Sequence, residues 1–335
     1  MTSRQISIAF QTDKSPAQYV ALAQLVDQYD FDAVSVYCDA PFHPSYGPLL
    51  LMAPHIRRAR LGPAAVSPAR IAPIDMAAET ALLAQMASGG VYLGIARGAW
   101  LNDHGIHESD RPIQAIRESI EIVHHLLSGA TGGYDGQLYQ IAPHVRAPYP
   151  LPAKPIPVLI GTWGRRLCAL AGELADEVKI GGTANPDIVP VIQRYIAVGE
   201  QKAGRQPGTV GVVTGAVTVI DEDRQQAREM ARRAVSLYLP VVASLDPTLQ
   251  IDPELIQRVQ QRVNAHDEAG AARLISDDLM ERFAMSGNAA DIIRQSEALF
   301  AAGASRIEFG TPHGIQPETG IRILGQQVIP ALRNH

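Results

Sequence analysis

Along this chain, short apolar runs rich in β-branched residues are followed, eight times in succession, by a longer segment of helical periodicity. The runs fall at 6–10, 33–37, 59–65, 91–95, 157–160, 177–180, 210–219 and 306–309. The helical patterns fall at 16–29, 48–57, 74–86, 113–127, 165–175, 186–203, 289–302 and 319–332. Strands that are apolar without strict alternation belong in a parallel sheet covered by helices on both faces. An open doubly wound sheet satisfies that rule, but eight consecutive units favour a closed α/β architecture, the (β/α)8 TIM barrel. Local punctuation agrees: Ser15 is placed to cap the first helix, with Pro16 in its first turn.

Two stretches fall outside the repeat. Residues 129–154, before the fifth strand, hold a Gly132-Gly133 pair and four prolines, which suits an extended excursion or hairpin. Residues 221–286, before the seventh helix, are polar and helical, with helices expected at 223–237 and 253–263. With both set aside as insertions, the 335 residues read as one barrel domain over 1–335 rather than two domains.

Composition narrows the class. Hydrophobic residues make up 46% and charged residues 19%, so the chain can bury a large core and wholesale disorder is excluded. A net charge of -5 argues against a dedicated nucleic-acid binder. Cys38 and Cys168 fit neither a disulfide framework nor a zinc motif, and no other metal-ligand spacing is visible. The first residues lack the apolar core and cleavage site of a secretory signal, and no run is long enough to span a membrane. The expectation is a soluble protein of a reducing compartment, read as cytoplasmic.

In a barrel of this kind the chemistry collects in the loops after the strands. The sharpest of these is Gly161-Thr-Trp-Gly-Arg-Arg166, directly between a strand and a helix. Glycines let the backbone approach an anion, and the first turn of the helix presents unpaired N–H groups. Gly182 and Thr183, in the next loop, are placed to close the same phosphate site. Tight turns need glycine as well, and that is the competing reading of both loops. Trp100 and Trp163 are candidates to wall a planar ligand, or simply to pack loops.

At these residues the chain resembles the bacterial-luciferase-like superfamily of flavin and deazaflavin oxidoreductases. It is most similar to the methylenetetrahydromethanopterin reductase branch, which uses coenzyme F420, a deazaflavin. The blocks that carry this are Arg60-Leu-Gly-Pro-Ala-Ala-Val-Ser-Pro68, Val91-Tyr-Leu-Gly-Ile-Ala-Arg-Gly98 and Ile156-Pro-Val-Leu-Ile-Gly-Thr-Trp-Gly164, followed by Leu279-Met-Glu-Arg-Phe283, Gly287 and Gly303-Ala-Ser-Arg-Ile307. The resemblance implies a TIM barrel with an insertion before the seventh helix and a non-prolyl cis peptide after the third strand, at Ala64–Ala65. It implies a cofactor site at Ala64, Ala65, Arg97, Gly98, Asn102, Gly161, Trp163, Gly164, Arg165, Gly182 and Thr183. Arg165 and Arg166 would then attract the acidic oligoglutamate tail of the deazaflavin. It also implies a homodimer that buries helices of the second and third units.

The chain departs from the family's acid–base pattern. Tyr37-Cys38-Asp39 stands where an Asp-His pair is often found, Ala99-Trp100 where some members carry a Glu, and Ala9 where the methanopterin reductases have a Glu. No acid or base role carries over. A proton donor is therefore sought among Asp39, His43, His104 and His313, with Gln11, Tyr37, Trp100 and His313 as candidates to line the substrate pocket. The leading expectation is an oxidoreductase that transfers a hydride between coenzyme F420 and an organic substrate. The alternative is an FMN-dependent two-component monooxygenase supplied by a partner flavin reductase. A flavin-binding barrel without turnover is the third reading.

Overall fold

The protein is described here by a computed structural model covering residues 4–334. The barrel strands are β1 (Gln5–Phe10), β2 (Ala33–Val36), β3 (Arg60–Pro63), β4 (Leu93–Ala96), β7 (Val158–Gly161), β8 (Glu177–Gly181), β9 (Gly211–Ile220) and β11 (Arg306–His313). They run parallel in the order β3-β2-β1-β11-β9-β8-β7-β4. Bridges at Leu61–Val91 and Val66–Ile95 join β3 to β4 and close the ring. A closed parallel ring has no exposed edge, so every strand can be short and apolar without inviting a further strand.

Helices α1 (Pro16–Val26), α2 (Tyr46–Met52), α3 (Pro73–Met86), α4 (Pro112–Leu127), α5 (Arg165–Leu174) and α6 (Val189–Lys202) cover the outside of the first six units. The expected cap of α1 is present. Ser15 accepts the Gln18 N–H at 3.4 Å while the Gln18 side chain accepts the Ser15 N–H at 2.9 Å. The excursion at 129–154 contains the antiparallel hairpin β5 (Tyr134–Asp135) and β6 (Gln140–Ile141).

The second insertion holds α7 (Arg224–Val242), α8 (Pro253–Asn264), α9 (Glu268–Ala272) and α10 (Asp277–Phe283). These helices gather a core of their own around Ala231, Val235, Leu239, Val259 and Phe283. The expectation of a purely helical segment needs correction, because it ends in β10 (Ala284–Gly287). This strand pairs with the far end of β9, Met285 opposite Thr218, beyond Gly215, where the pairing of β8 with β9 ends at Gly181. Ala-Met-Ser-Gly has no β-branched residue, so local propensity gives no hint of it.

The chain then runs through α11 (Ala289–Ala301), β11, α12 (Pro317–Ile323) and α13 (Ile329–Arg333). The single helix expected at 319–332 is interrupted by a π-turn at Leu324–Val328. Pro330 has no N–H to continue the ladder, and a side chain on Gly325 would run into the Tyr29 ring.

A second correction concerns the barrel interior. The strands at 177–180 and 306–309 read as simply apolar, yet Glu177, Lys179, Arg306 and Glu308 alternate with apolar residues and are buried. Their charges meet inside the ring rather than facing solvent. No helix among the described residues is long and apolar enough to cross a membrane.

Candidate functional site

A cleft of about 1270 Å³ opens at the C-terminal ends of the strands. Its floor includes Ala64, Ala65, Ala96, Gly161 and Gly181, which carry a methyl group or nothing. A Cβ built on Gly161 would lie 3.3 Å from that of Ala96, whereas one on Gly181 would point into open space. Small residues at this level leave a flat, shallow surface above the packed interior. The Ala64–Ala65 peptide in this floor is cis, as the resemblance implies.

One wall is the start of α5. Its N-cap is Gly164, which has no side chain to satisfy the first N–H groups of the helix. The Gly164 N–H itself donates to Thr162 Oγ1 at 2.9 Å, so an anion here would be met by the helix's first turn rather than by that amide. Arg165 and Arg166 line the cleft. The Arg165 guanidinium rests 5.9 Å from the Tyr195 ring centroid. Among the described residues neither arginine has a carboxylate within salt-bridge distance. Across the cleft Arg97 is neutralised by a two-pronged pair with Glu108, at 2.8 and 2.5 Å.

The fold brings ten of the residues singled out from sequence to this cleft: Asp39, Ala64, Ala65, Arg97, Gly98, Gly161, Trp163, Gly164, Arg165 and Arg166. Trp163 is half-buried and tied across to β8 by its indole N–H, which donates to the Gly181 carbonyl at 3.2 Å. Others lie outside the lining. His43, Trp100, Asn102 and His104 are exposed on the loops after β2 and β4, with His104 Nδ1–H donating to the Trp100 carbonyl at 2.8 Å. The Gly182 and Thr183 N–H groups both donate to the Gly215 carbonyl, and the Thr183 hydroxyl donates to that of Arg282. That loop is satisfied internally and does not offer its amides to a phosphate.

The pocket candidates divide likewise. Gln11 reaches the Asp39 carboxylate at 3.4 Å. His313 is buried, and its Nε2–H donates to the Ala9 carbonyl at 3.0 Å. Burial holds its imidazole down at about 4, so it sits neutral beneath the site and is not a poised acid. Burial, reinforced by the negative charges of Glu308 and Asp39, pushes the Tyr37 phenol well above its ordinary range.

Sequence reasoning missed Lys179, which lines the cleft from below. Its ammonium pairs with Glu308 and lies 5.0 Å from the centroid of the Tyr37 ring. Although burial alone would raise the Glu308 carboxyl, Lys179 and Arg306 outweigh it and hold the group low. The available signal is the Glu-x-Lys at 177–179 opposite the Arg-x-Glu at 306–308, two strands whose inward residues are charged in complementary order. Among the described residues no cluster of three or more His, Cys, Asp or Glu is placed to hold a metal ion.

The family model for luciferase-like monooxygenases matches residues 2–306. A 5,10-methylenetetrahydromethanopterin reductase of Archaeoglobus fulgidus is 28% identical over 86% of this chain and 87% of its own. The solved coenzyme F420-dependent tetrahydromethanopterin reductase of Methanopyrus kandleri superposes with a TM-score of 0.89 at 24% identity, over 98% of this chain and 99% of its own. A solved F420-dependent secondary alcohol dehydrogenase, bound to an F420–acetone adduct, superposes with a TM-score of 0.79 at 20% identity, over 99% of both chains.

Proposed function

The chain belongs to the luciferase-like monooxygenase family, and on that premise we propose that it transfers a hydride between coenzyme F420 and a small organic substrate. The observation that carries the choice of cofactor is the pairing of a side-chain-poor floor with a basic helix start. Ala64, Ala65, Ala96 and Gly161 suit a flat ring system, and the first turn of α5 suits a phosphate. Arg165 and Arg166, without carboxylate partners among the described residues, suit an acidic tail beyond it. The relative in Archaeoglobus fulgidus, named for a reaction of this kind, points the same way.

When bound, the coenzyme supplies or accepts the hydride; the chain's residues supply position and electrostatics. Ala64, Ala65, Ala96 and Gly161 would hold the ring, and the start of α5 would hold the phosphate. The part of the cleft that the ring does not fill is left for the substrate, with Asp39 and Lys179 among the ionisable groups that line it.

FMN-dependent oxygenation is the second reading, because the matching family model is itself described by monooxygenases. Fluorescence titration of the purified chain with oxidised and reduced F420 and FMN separates the two. Binding of the deazaflavin with a Kd on the order of micromolar is expected. Binding of FMN alone would overturn the proposal, and binding of neither would favour a barrel without turnover. We further propose that the chain is a homodimer, paired through the exposed faces of α2 and α3.

A further inference from the structure

Five charged side chains of alternating sign run through the barrel, and the end that reaches the cleft is positive. Arg60, at the start of β3, lies 3.5 Å from Glu177. Glu177 takes Arg306 through two contacts, at 3.0 and 2.7 Å. Another guanidinium nitrogen of Arg306 is 3.7 Å from Glu308, and Glu308 in turn takes the Lys179 ammonium. The column thus sets three cations, Arg60, Arg306 and Lys179, against two carboxylates, Glu177 and Glu308. Each carboxylate is shared by two cations, so Lys179 is incompletely neutralised at the very point where the column meets the cleft.

The surroundings preserve that charge. The Lys179 side chain is 8% exposed and that of Glu308 is 0% exposed, so water screens the pair little. Gly161 and Gly181 line the cleft together with Lys179 and add no side chains to it. The Tyr37 ring faces the ammonium at 5.0 Å, a cation–π contact. Asp39 lines the same cleft, but it is only half-buried and already accepts from Gln11. Its field is therefore screened where that of Lys179 is not.

We infer that Lys179 holds the oxygen of a carbonyl substrate (an aldehyde, ketone or enone) at the floor of the cleft. A cationic imine, which the same ammonium repels, is disfavoured. The inference rests on the hydride-transfer reading above and names its substrate class. In the reducing direction the carbonyl carbon receives a hydride with its electron pair from a reduced deazaflavin. The π pair of the C=O bond moves to oxygen, and oxygen takes a proton from Lys179. A C–H and an O–H bond form; the C–H bond that carried the hydride on the reduced deazaflavin, the C=O π bond and one N–H bond break; the deazaflavin is left oxidised, and water in the open cleft reprotonates the amine. A preorganised cation at the developing oxyanion is the kind of group that lowers such a barrier.

Benzoate, a planar molecule with full negative charge on oxygen, serves as the probe, titrated calorimetrically into the full chain without coenzyme. Lys179→Met is expected to weaken benzoate binding at least tenfold. Glu308→Gln, which removes the counter-charge but keeps the shape, is expected to tighten it about threefold. A purely structural role for the pair predicts that both variants weaken binding, and that result would overturn the inference. So would an unchanged Lys179→Met. The double variant Arg165→Ala with Arg166→Ala should keep the benzoate site; if it loses binding while Lys179→Met keeps it, the anion belongs to α5 and the inference fails. A wild-type chain that binds benzoate through Lys179 but gives no fluorescence response to F420 would sink the hydride reading alone.

Discussion

Glu118 of α4 takes the backbone N–H of Leu138 at 2.9 Å, and with it the N–H groups of the neighbouring Gln137 and Tyr139. One carboxylate thereby satisfies the turn of the β5–β6 hairpin and ties it to the barrel's outer helix layer. Burial acts to raise this carboxyl, but the hydrogen bonds from Gln114 and the three amides outweigh it and hold it low. Glu118→Gln should therefore cost about 2 kcal/mol at pH 7, the range for hydrogen bonds to a charged group. A group held low contributes stability that is full above its unfolded value of about 4.3 and lost as pH falls through the folded one. The wild-type advantage in urea denaturation should accordingly fade below about pH 4. A constant difference from pH 7 to pH 3 would contradict the role.

His313 predicts a second pH dependence with a different window. Its imidazole titrates at about 4 in the folded chain and at about 6.5 when unfolded. The unfolded state takes up the proton first, so stability should fall as pH drops from 6.5 towards 4 and level off below. A gap of that size corresponds to about 3 kcal/mol at most. The residue has a φ of 76°, a left-handed conformation that asparagine tolerates. His313→Asn should flatten the stability profile across that window in chemical denaturation. A variant whose profile keeps the wild-type slope would place the loss elsewhere.

What the sequence discloses about this molecule is mainly what neighbours in the chain decide. Ser15 with Pro16 marks the start of α1, and Gly161 to Arg165 marks a strand turning into a helix, because each rests on contacts within a few residues. The interior column was not legible in that way, since Lys179 and Glu308 stand 129 residues apart and only ring closure brings them together. The strand β10 is hidden for the same reason, its pairing with β9 replacing the local propensity it lacks. Trp100 and His104 sit in a loop whose position after β4 is readable but whose direction is not, and it carries them outward. Gly182 and Thr183 show the converse. Their residue types suit a phosphate, but the nearby Gly215 carbonyl takes both amides first.

Arg165 and Arg166 give a prediction separable from the floor of the cleft. If they hold an acidic tail, replacing both with alanine should raise the Kd for coenzyme F420 by about tenfold at low ionic strength, two exposed charge contacts' worth. Screening should shrink the difference at high salt, since the Debye length falls to about 3 Å at 1 M. The same variant should bind FMN, which has no such tail, almost as the wild type does. Equal losses for the two ligands, read by fluorescence titration, would move the arginines' role from the tail to the phosphate.

The proposed homodimer turns on a row of apolar side chains that α2 and α3 leave in solvent. Leu51, Ile74, Leu82 and Met86 are each more than a third exposed. Ile74, Leu82 and Met86 are spaced by eight and four residues, so they fall along one stripe of α3. The opposite face of that helix, with Met76, Ala77, Ala81 and Leu83, is already buried in the barrel core. The stripe is therefore surplus to folding, and a second copy of the chain meeting it about a two-fold axis would remove it from water. Leu82→Glu sets a charge in the middle of the row without touching the core. Sedimentation velocity should show a dimer for the wild type and a monomer for the variant, with the thermal unfolding of the variant becoming independent of concentration. A wild type that sediments as a monomer at tens of micromolar would refute the pairing.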